Sequence, residues 1–342
     1  MLNILSIAYP FAPVTADPAG GAEQVLAQID RALVRAGHRS TVIASEGSAV
    51  AGSLLPVPAA GGPITDERRG TAYRHVRGVT REAVESGRAD VVHLHGVDFA
   101  EYVPDPGVPT LVTLHLPLDW YPRHALAPER PDTWLHPVSA SQAARAPAAA
   151  RLLPPIANGV DVDVYAPTQA RNDYALVLGR IAPEKGSHHA LDAARWADVD
   201  CVAAGRLFGY SEHLAYWNDQ VRPRLDDRRR FIGAVEGAAK RRLIAEAACV
   251  LIPSTAPETS SLVAMEALAS GVPVIAFRSG ALPEIVEDGV TGLLVNEARE
   301  MAEAIRRVGD IDPAACRRAA VERFPLRRTT DAYLNLYARL AA

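Results

Sequence analysis

The run PSTAPETSSLVAMEALASG, residues 253–271, decides how this chain reads. Val250, Leu251 and Ile252 just before it have the character of the end of a buried strand. Thr259, Ser260 and Ser261 are good helix N-caps, and Leu262 to Met265 open a helix body. The order is therefore strand, loop, helix N-terminus. Such a terminus presents unpaired backbone N–H groups and a positive dipole end, which suits an anion. Two glutamates, Glu258 and Glu266, bracket the hydroxyl cluster. Taken as one helical run at 100° per residue, Glu266 returns to within about 80° of the face of Glu258, roughly two turns on. A ligand with a diphosphate in its middle and hydroxyl-bearing groups at both ends matches that spacing.

At 342 residues the chain exceeds what one core usually holds, which points to two domains. Apolar residues make up 49%, ample for buried cores. A net charge of −4 and a pI near 6.2 argue against bulk electrostatic binding to nucleic acid. Cys201, Cys249 and Cys316 are odd in number and widely spaced, as small buried hydrophobes of a reducing compartment are. The opening MLNILSIAYPF lacks a basic n-region and its apolar run stops at Pro10, so a first buried strand is expected rather than a signal peptide. No run approaches eighteen apolar residues, so no transmembrane segment is expected.

Strand and helix signals alternate, which implies α/β layers on parallel sheets. In the first series, strands are expected at 3–8, 40–44, 90–95, 110–115 and 135–139, with an amphipathic helix at 23–36. In the second, strands are expected at 174–178, 199–204, 231–232, 250–252 and 273–276. Helices at 191–197, 238–247 and 262–270 separate them. The Gly-, Pro- and Asp-rich stretch 158–172 reads as the linker. Two doubly wound halves facing each other form a cleft, and ligands bind such sheets beyond the carboxyl ends of the strands. Residues 143–150 read as a short helix or loop, 224–230 as a solvated charged surface, and 49–63 as a mobile loop.

Ala19-Gly20-Gly21-Ala22-Glu23 lies between the first strand and the first helix, where glycines let backbone approach a phosphate. A tight turn explains the pair equally well, and the third glycine of a dinucleotide fingerprint is missing. Gly179 to Gly186, GRIAPEKG, follows the first strand of the second series. Arg180 and Lys185 there offer a planar fork and a compact charge to phosphate oxygens. His93 and His95 alternate along a strand and so share a face, a pattern that can begin a zinc site. No cysteine or His-Glu-x-x-His helix accompanies them, so no metal is expected. His115 ends the next strand, at the cleft edge.

These segments together resemble the retaining glycosyltransferases of family four, which have the GT-B fold. The resemblance rests on GGAE at 20–23, DVVHLHG at 90–96, TLH at 113–115 and VSA at 138–140. It continues through NGVD at 158–161, GRIAPEKG at 179–186, PETSSLVAMEALASGVPVIA at 257–276, LPEIVEDGVTGLLV at 282–295 and ERF at 322–324. It implies two Rossmann-like domains: 1–165, rejoined by a C-terminal helix at 326–342, on the acceptor side, and 166–325 for the nucleotide-sugar donor.

The family implies roles for particular residues. Arg180 and Lys185 bind the donor diphosphate and stabilise the leaving group. Glu266 holds the ribose hydroxyls, and Glu258 contacts the donor sugar. Ser260, Ser261 and Leu262 offer backbone N–H groups, His115 contacts the sugar near its anomeric carbon, and Gly20 and Gly21 lie under phosphate or acceptor. Residues 231–236 line the base pocket through their backbone. Where many members read Glu-Gly-Phe-Gly, this chain has Glu258-Thr259-Ser260-Ser261, which narrows the backbone and adds hydroxyl donors. The implied activity is metal-independent transfer of a sugar, with retention, from a nucleotide-diphosphate sugar to an acceptor hydroxyl. No cofactor is implied; UDP-sugar is the default donor. The acceptor is a saccharide, a lipid-linked acceptor or a small molecule. A cytoplasmic location is implied, or one peripheral to the inner face of the membrane. The competing readings are an inactive homologue serving as sugar-nucleotide sensor or partner subunit, and a sugar-nucleotide epimerase on the same fold.

Overall fold

Apolar runs such as Val91-Val92, Leu111-Val112 and Val250-Leu251 lie in strands buried on both faces, the signature of parallel sheets covered by helices. The structure, a computed structural model, describes residues 1–15, 20–58, 62, 64–168 and 172–342. It forms two units, one of Met1–Ala157 with Thr329–Ala342, the other of Asn158–Arg328. Ala19, and residues 169–171 of the expected linker, lie outside the described residues, as do 59–61 and 63.

In the first unit β1 (Asn3–Ile7) leads to α1 (Gly21–Arg35), β2 (Arg39–Ser45), β3 (Ser53–Val57) and α2 (Asp66–Glu85). Then come β4 (Val91–Leu94), β5 (Thr110–Leu114), β6 (Thr133–Pro137) and α3 (Ala140–Ala144). The strands form one parallel sheet in the order β3-β2-β1-β4-β5-β6. In the second unit β7 (Tyr174–Leu178), α4 (Ser187–Ala197), β8 (Asp200–Ala204), α5 (Ser211–Tyr216), β9 (Arg229–Phe231) and α6 (Gly237–Glu246) come first. They precede β10 (Cys249–Ile252), α7 (Leu262–Ala269), β11 (Val274–Phe277), α8 (Leu282–Ile285) and β12 (Gly292–Val295). Helices α9 (Ala298–Arg307), α10 (Pro313–Arg323) and α11 (Leu326–Leu340) close the chain. This sheet runs β12-β11-β10-β7-β8-β9, also parallel. Each sheet therefore has the doubly wound order 3-2-1-4-5-6, and the strand order reverses between β1 and β4 and between β7 and β10.

Several expectations need correction. Residues 49–63 are not simply a loop: Ser53–Val57 forms the edge strand β3, which tolerates Pro56 because an edge need not donate on both sides. Helix α2, twenty residues long, was not expected at all. Its buried side is carried by Tyr73, Val76, Thr80 and Ala83, spaced as one helical face. Strand β12 and helices α9 and α10 were likewise unanticipated. The charged run 224–230 is only partly a solvated surface. Arg224 pairs with Asp192 at 2.9 Å, Arg229 pairs with Asp226, and β9 begins at Arg229. The three cysteines are buried, as the sequence implies, and no disulfide joins them. No described helix is long and apolar enough to cross a membrane.

Candidate functional site

The loops that leave β7 and β10 flank the switch point of the second sheet, where doubly wound sheets take their ligands. Residues of both loops meet there. Lys185 Nζ lies 2.6 Å from Glu258 Oε1, and the Ser254 hydroxyl donates to the same oxygen. Arg180 pairs with Glu184 at 3.1 Å. The Glu184 carbonyl in turn accepts the backbone N–H of Thr255 at 3.0 Å, which ties the two loops together. Arg180 and Lys185 keep 28% and 31% of their side chains exposed, so both cations remain reachable by a ligand.

Helix α7 starts directly after Glu258-Thr259-Ser260-Ser261. Ser261 is its N-cap, its hydroxyl accepting the Ala264 N–H at 3.3 Å. The Ser260 hydroxyl is buried and meets no hydrogen-bond partner among the described residues. The helix terminus thus adds an unsatisfied polar group to its N–H groups. Because α7 begins at Leu262, Glu258 is on the loop and not on the helix, so the helical-face argument linking it to Glu266 does not apply. Glu266 is fully buried, and its Oε1 is held by Lys240 of α6 at 3.0 Å. Lys240 was missed in the sequence because the contact spans 26 positions and is made by packing of two helices, not by local spacing. Near the expected base-binding stretch, Arg206 lies 3.6 Å from Glu236, and Ile232 is exposed.

Gly280 holds the Glu258 loop in place. It has φ +56°, and a Cβ there would lie 2.1 Å from the Glu258 carbonyl oxygen. Ala281 N–H donates to that oxygen at 2.7 Å. Gly280→Ala is expected to cost at least about 2 kcal/mol, from the left-handed conformation and the backbone clash together. Urea unfolding should show the loss, and turnover should fall with it; wild-type stability would show that the loop adapts freely.

In the first unit Gly20 is the N-cap of α1, and a Cβ on it would lie 1.8 Å from Glu23 Oε2. The Glu23 side chain reaches back over the helix start, the acidic half of a capping box. The glycine therefore makes room for a carboxylate that already faces this dipole end. Gly21 is the first residue of the helix.

The two histidines of the His-x-His pattern do share a face, their ring centroids 3.9 Å apart. Among the described residues no cluster of three or more His, Cys, Asp or Glu side chains is arranged to hold a metal ion. His93 instead joins a hydrogen-bond network with α11. His93 Nδ1 lies 2.6 Å from the Tyr337 hydroxyl and His93 Nε2 2.7 Å from Thr113 Oγ1. Thr113 Oγ1 also meets His136 Nε2 at 2.8 Å and Tyr333 at 3.2 Å. His136 Nδ1 faces the Pro137 carbonyl at 3.1 Å.

Burial holds these rings neutral. It pulls His136 down to about 4, and it pulls His93 well below the usual value with help from the neighbouring histidines. Neutrality then fixes every proton. A carbonyl only accepts, so His136 Nδ1–H donates to Pro137 and His136 Nε2 must accept from Thr113. The Thr113 hydroxyl, its one proton spent, accepts from His93 Nε2–H and from Tyr333. His93 Nδ1 is left to accept from Tyr337. Two tyrosines of the last helix are thus tied to β4 and β5 by a one-way chain. Beyond β5, His115 Nε2 lies 2.9 Å from His95 Nδ1. Burial, with His136 adding to it, pulls His115 down to about 3.

Comparison with known proteins bears on this arrangement. Residues 19–163 match the family model described as Glycosyltransferase Family 4, and residues 172–310 the model described as Glycosyl transferases group 1. The chain belongs to glycosyltransferase family 4. Among curated relatives, the D-inositol 3-phosphate glycosyltransferase of Mycolicibacterium smegmatis is 35% identical over 202 residues, covering 53% of this chain and 46% of the relative. That of Saccharomonospora viridis is 38% identical over 125 residues, covering 34% of this chain and 29% of the relative. The chain thus spans less than half the length of these relatives.

Solved structures agree on the GT-B fold. Sucrose-phosphate synthase from Thermosynechococcus elongatus has a TM-score of 0.79 at 19% identity, covering 99% of both chains. Anabaena Alr3699/HepE in complex with UDP and glucose has a TM-score of 0.76 at 22% identity, covering 99% of this chain and 100% of that one.

Proposed function

We propose that the chain transfers a sugar from a nucleotide-diphosphate sugar to an acceptor hydroxyl, with retention. The observation that carries this reading is the pair of cations Arg180 and Lys185, held by Glu184 and Glu258 at the switch point of the second sheet beside the α7 N-terminus. A departing nucleoside diphosphate builds negative charge where those groups are already aimed, and preorganised electrostatics of this kind is the usual large catalytic term. In the reading, Arg180, Lys185 and the N–H groups of Ser260, Ser261 and Leu262 bind the diphosphate. Glu258 then shares itself between Lys185 and the sugar hydroxyls, Glu266 binds ribose and His115 the donor sugar, while Gly20 and Gly21 take phosphate or acceptor. Charge on the leaving group is assigned to these residues without a metal. Retention follows from attack on the face the diphosphate leaves, with the departing phosphate taking the acceptor's proton.

A UDP-sugar is the favoured donor, since HepE was solved with UDP and with UDP-glucose. The curated relatives are named for an inositol phosphate, which favours a polyol acceptor. The test is a thermal-shift panel of UDP-, GDP-, ADP- and dTDP-sugars with Glu266→Ala as control. A donor at 100 times its Kd adds about 2.7 kcal/mol, a shift of roughly 5–11 °C for units of this size. One responding class, weakened in the control, supports the donor site. No shift with any nucleotide on folded protein sinks it.

A further inference from the structure

The His95–His115 pair is the one contact of the histidine cluster whose proton the one-way chain does not fix. His95 Nδ1 and His115 Nε2 are 2.9 Å apart, so one of them carries the shared proton. His95 is only 3% exposed, and its Nε2 is buried with no hydrogen-bond partner among the described residues. Burial holds both rings neutral, so each has one N–H. Were His115 the donor, the proton of His95 would sit on Nε2, a buried N–H with nothing to accept it. An unsatisfied buried donor costs about 1–3 kcal/mol. In the opposite direction His95 Nδ1–H is satisfied and only a ring lone pair goes unused. Orphaned N–H groups are the rarer of the two in folded proteins.

We infer that His95 is a positioning residue: its Nδ1–H donates to His115 Nε2 and so fixes the proton of His115 on Nδ1. His115 then meets a ligand as a hydrogen-bond donor, not as a base. The two rings lie side by side and close to coplanar, 19° between their planes and centroids 5.2 Å apart, as an in-plane hydrogen bond between ring nitrogens requires. The choice of tautomer by a neighbouring hydrogen bond is how proteins set what a histidine offers to its substrate. The recipient of Nδ1–H is an oxygen of the donor sugar, a clause that rests on the transferase reading above.

The experiment uses the full chain labelled with 15N-histidine and long-range proton–nitrogen correlation spectra. In the wild type, His115 should show a pyrrole-type Nδ1 and a pyridine-type Nε2. His95→Phe keeps a ring but loses the donor. His115 should then shift to mixed tautomers, with kcat down roughly 10–100-fold, the range seen when an orienting partner is removed. Nucleotide-induced thermal shift should be unchanged. His95→Asn, whose amide stands where ring Nδ1–H stood, should restore both the tautomer and most of kcat. A wild-type His115 protonated on Nε2, or His95→Phe with tautomer and kcat intact, overturns the inference. Correct tautomers in a protein that turns over no nucleotide sugar would instead remove the sugar contact and the transferase reading, leaving the His95 lock standing.

Discussion

Lys185→Ala is expected to lower turnover about 100-fold at saturating donor, and Lys185→Arg to retain part of it. Losing one preorganised charge on a developing oxyanion typically costs 10²–10³ in kcat. The ion pair at 2.6 Å sharpens the expectation, because Lys185 Nζ is fixed before any ligand arrives. Its removal also strips Glu258 of its cation while the Ser254 hydroxyl alone remains on the same carboxylate oxygen. Glu258 is only 10% exposed at its side chain, so a stability loss accompanies the catalytic one. The double variant Lys185→Met/Glu258→Gln separates the two. It removes both charges, so it should recover thermal stability relative to Lys185→Ala and leave turnover just as low. Steady-state kinetics and urea unfolding on the three proteins make the comparison. Recovery of turnover in the double variant, or a single variant within a few-fold of wild type, would falsify the leaving-group assignment.

What the sequence disclosed follows from which signals are local. Central strands such as β4, β5, β7 and β10 are buried on both faces and read as apolar runs, so the two parallel series were visible. Strand β3 was hidden because SLLPV is half-exposed and carries Pro56, and propensity there argues for a loop. Helix α2 was hidden by its polarity: DERRGTAYRHVRGVTREAVE holds two glycines, and only four residues of its stripe are buried. The site shows the same division. Arg180, Lys185 and Glu258 lie in strand-to-helix loops whose place in the fold the alternation of elements already gives. Their partners are matters of tertiary packing. Nothing near Glu266 in the chain announces Lys240, and nothing near His93 announces Tyr337, 244 positions away. A helical wheel also misled, since it assumed helix across Glu258, where the chain is still turning into the Ser261 cap.

The four buried histidines of the first unit are expected to make it acid-labile. His115 and His136 are depressed to about 3 and about 4 by burial, and His93 and His95 are driven well below their ordinary value by burial and mutual repulsion. In the unfolded chain all four protonate near 6.5. Below that pH the unfolded state therefore binds more protons than the folded one, and stability falls as pH falls, until each ring's folded value is reached. Each ring contributes about 1.4 kcal/mol per pH unit within its window, so His136 alone accounts for about 2 kcal/mol between pH 7 and pH 5. Protonating it also breaks the chain, because Nε2 can no longer accept from Thr113, the hydroxyl to which Tyr333 is tied directly and Tyr337 through His93. Asp98 acts in the opposite sense: burial raises it, so it adds stability as pH falls through its folded value, in the same unit. A lone carboxyl does not offset four histidines. Hydrogen exchange at pH 7 and pH 5 should show β4, β5 and α11 losing protection together. His136→Gln, whose carboxamide oxygen can still accept from Thr113 but does not titrate, should flatten the pH dependence by about 2 kcal/mol over that interval. Unchanged slopes in the variant would place the acid sensitivity elsewhere in the chain.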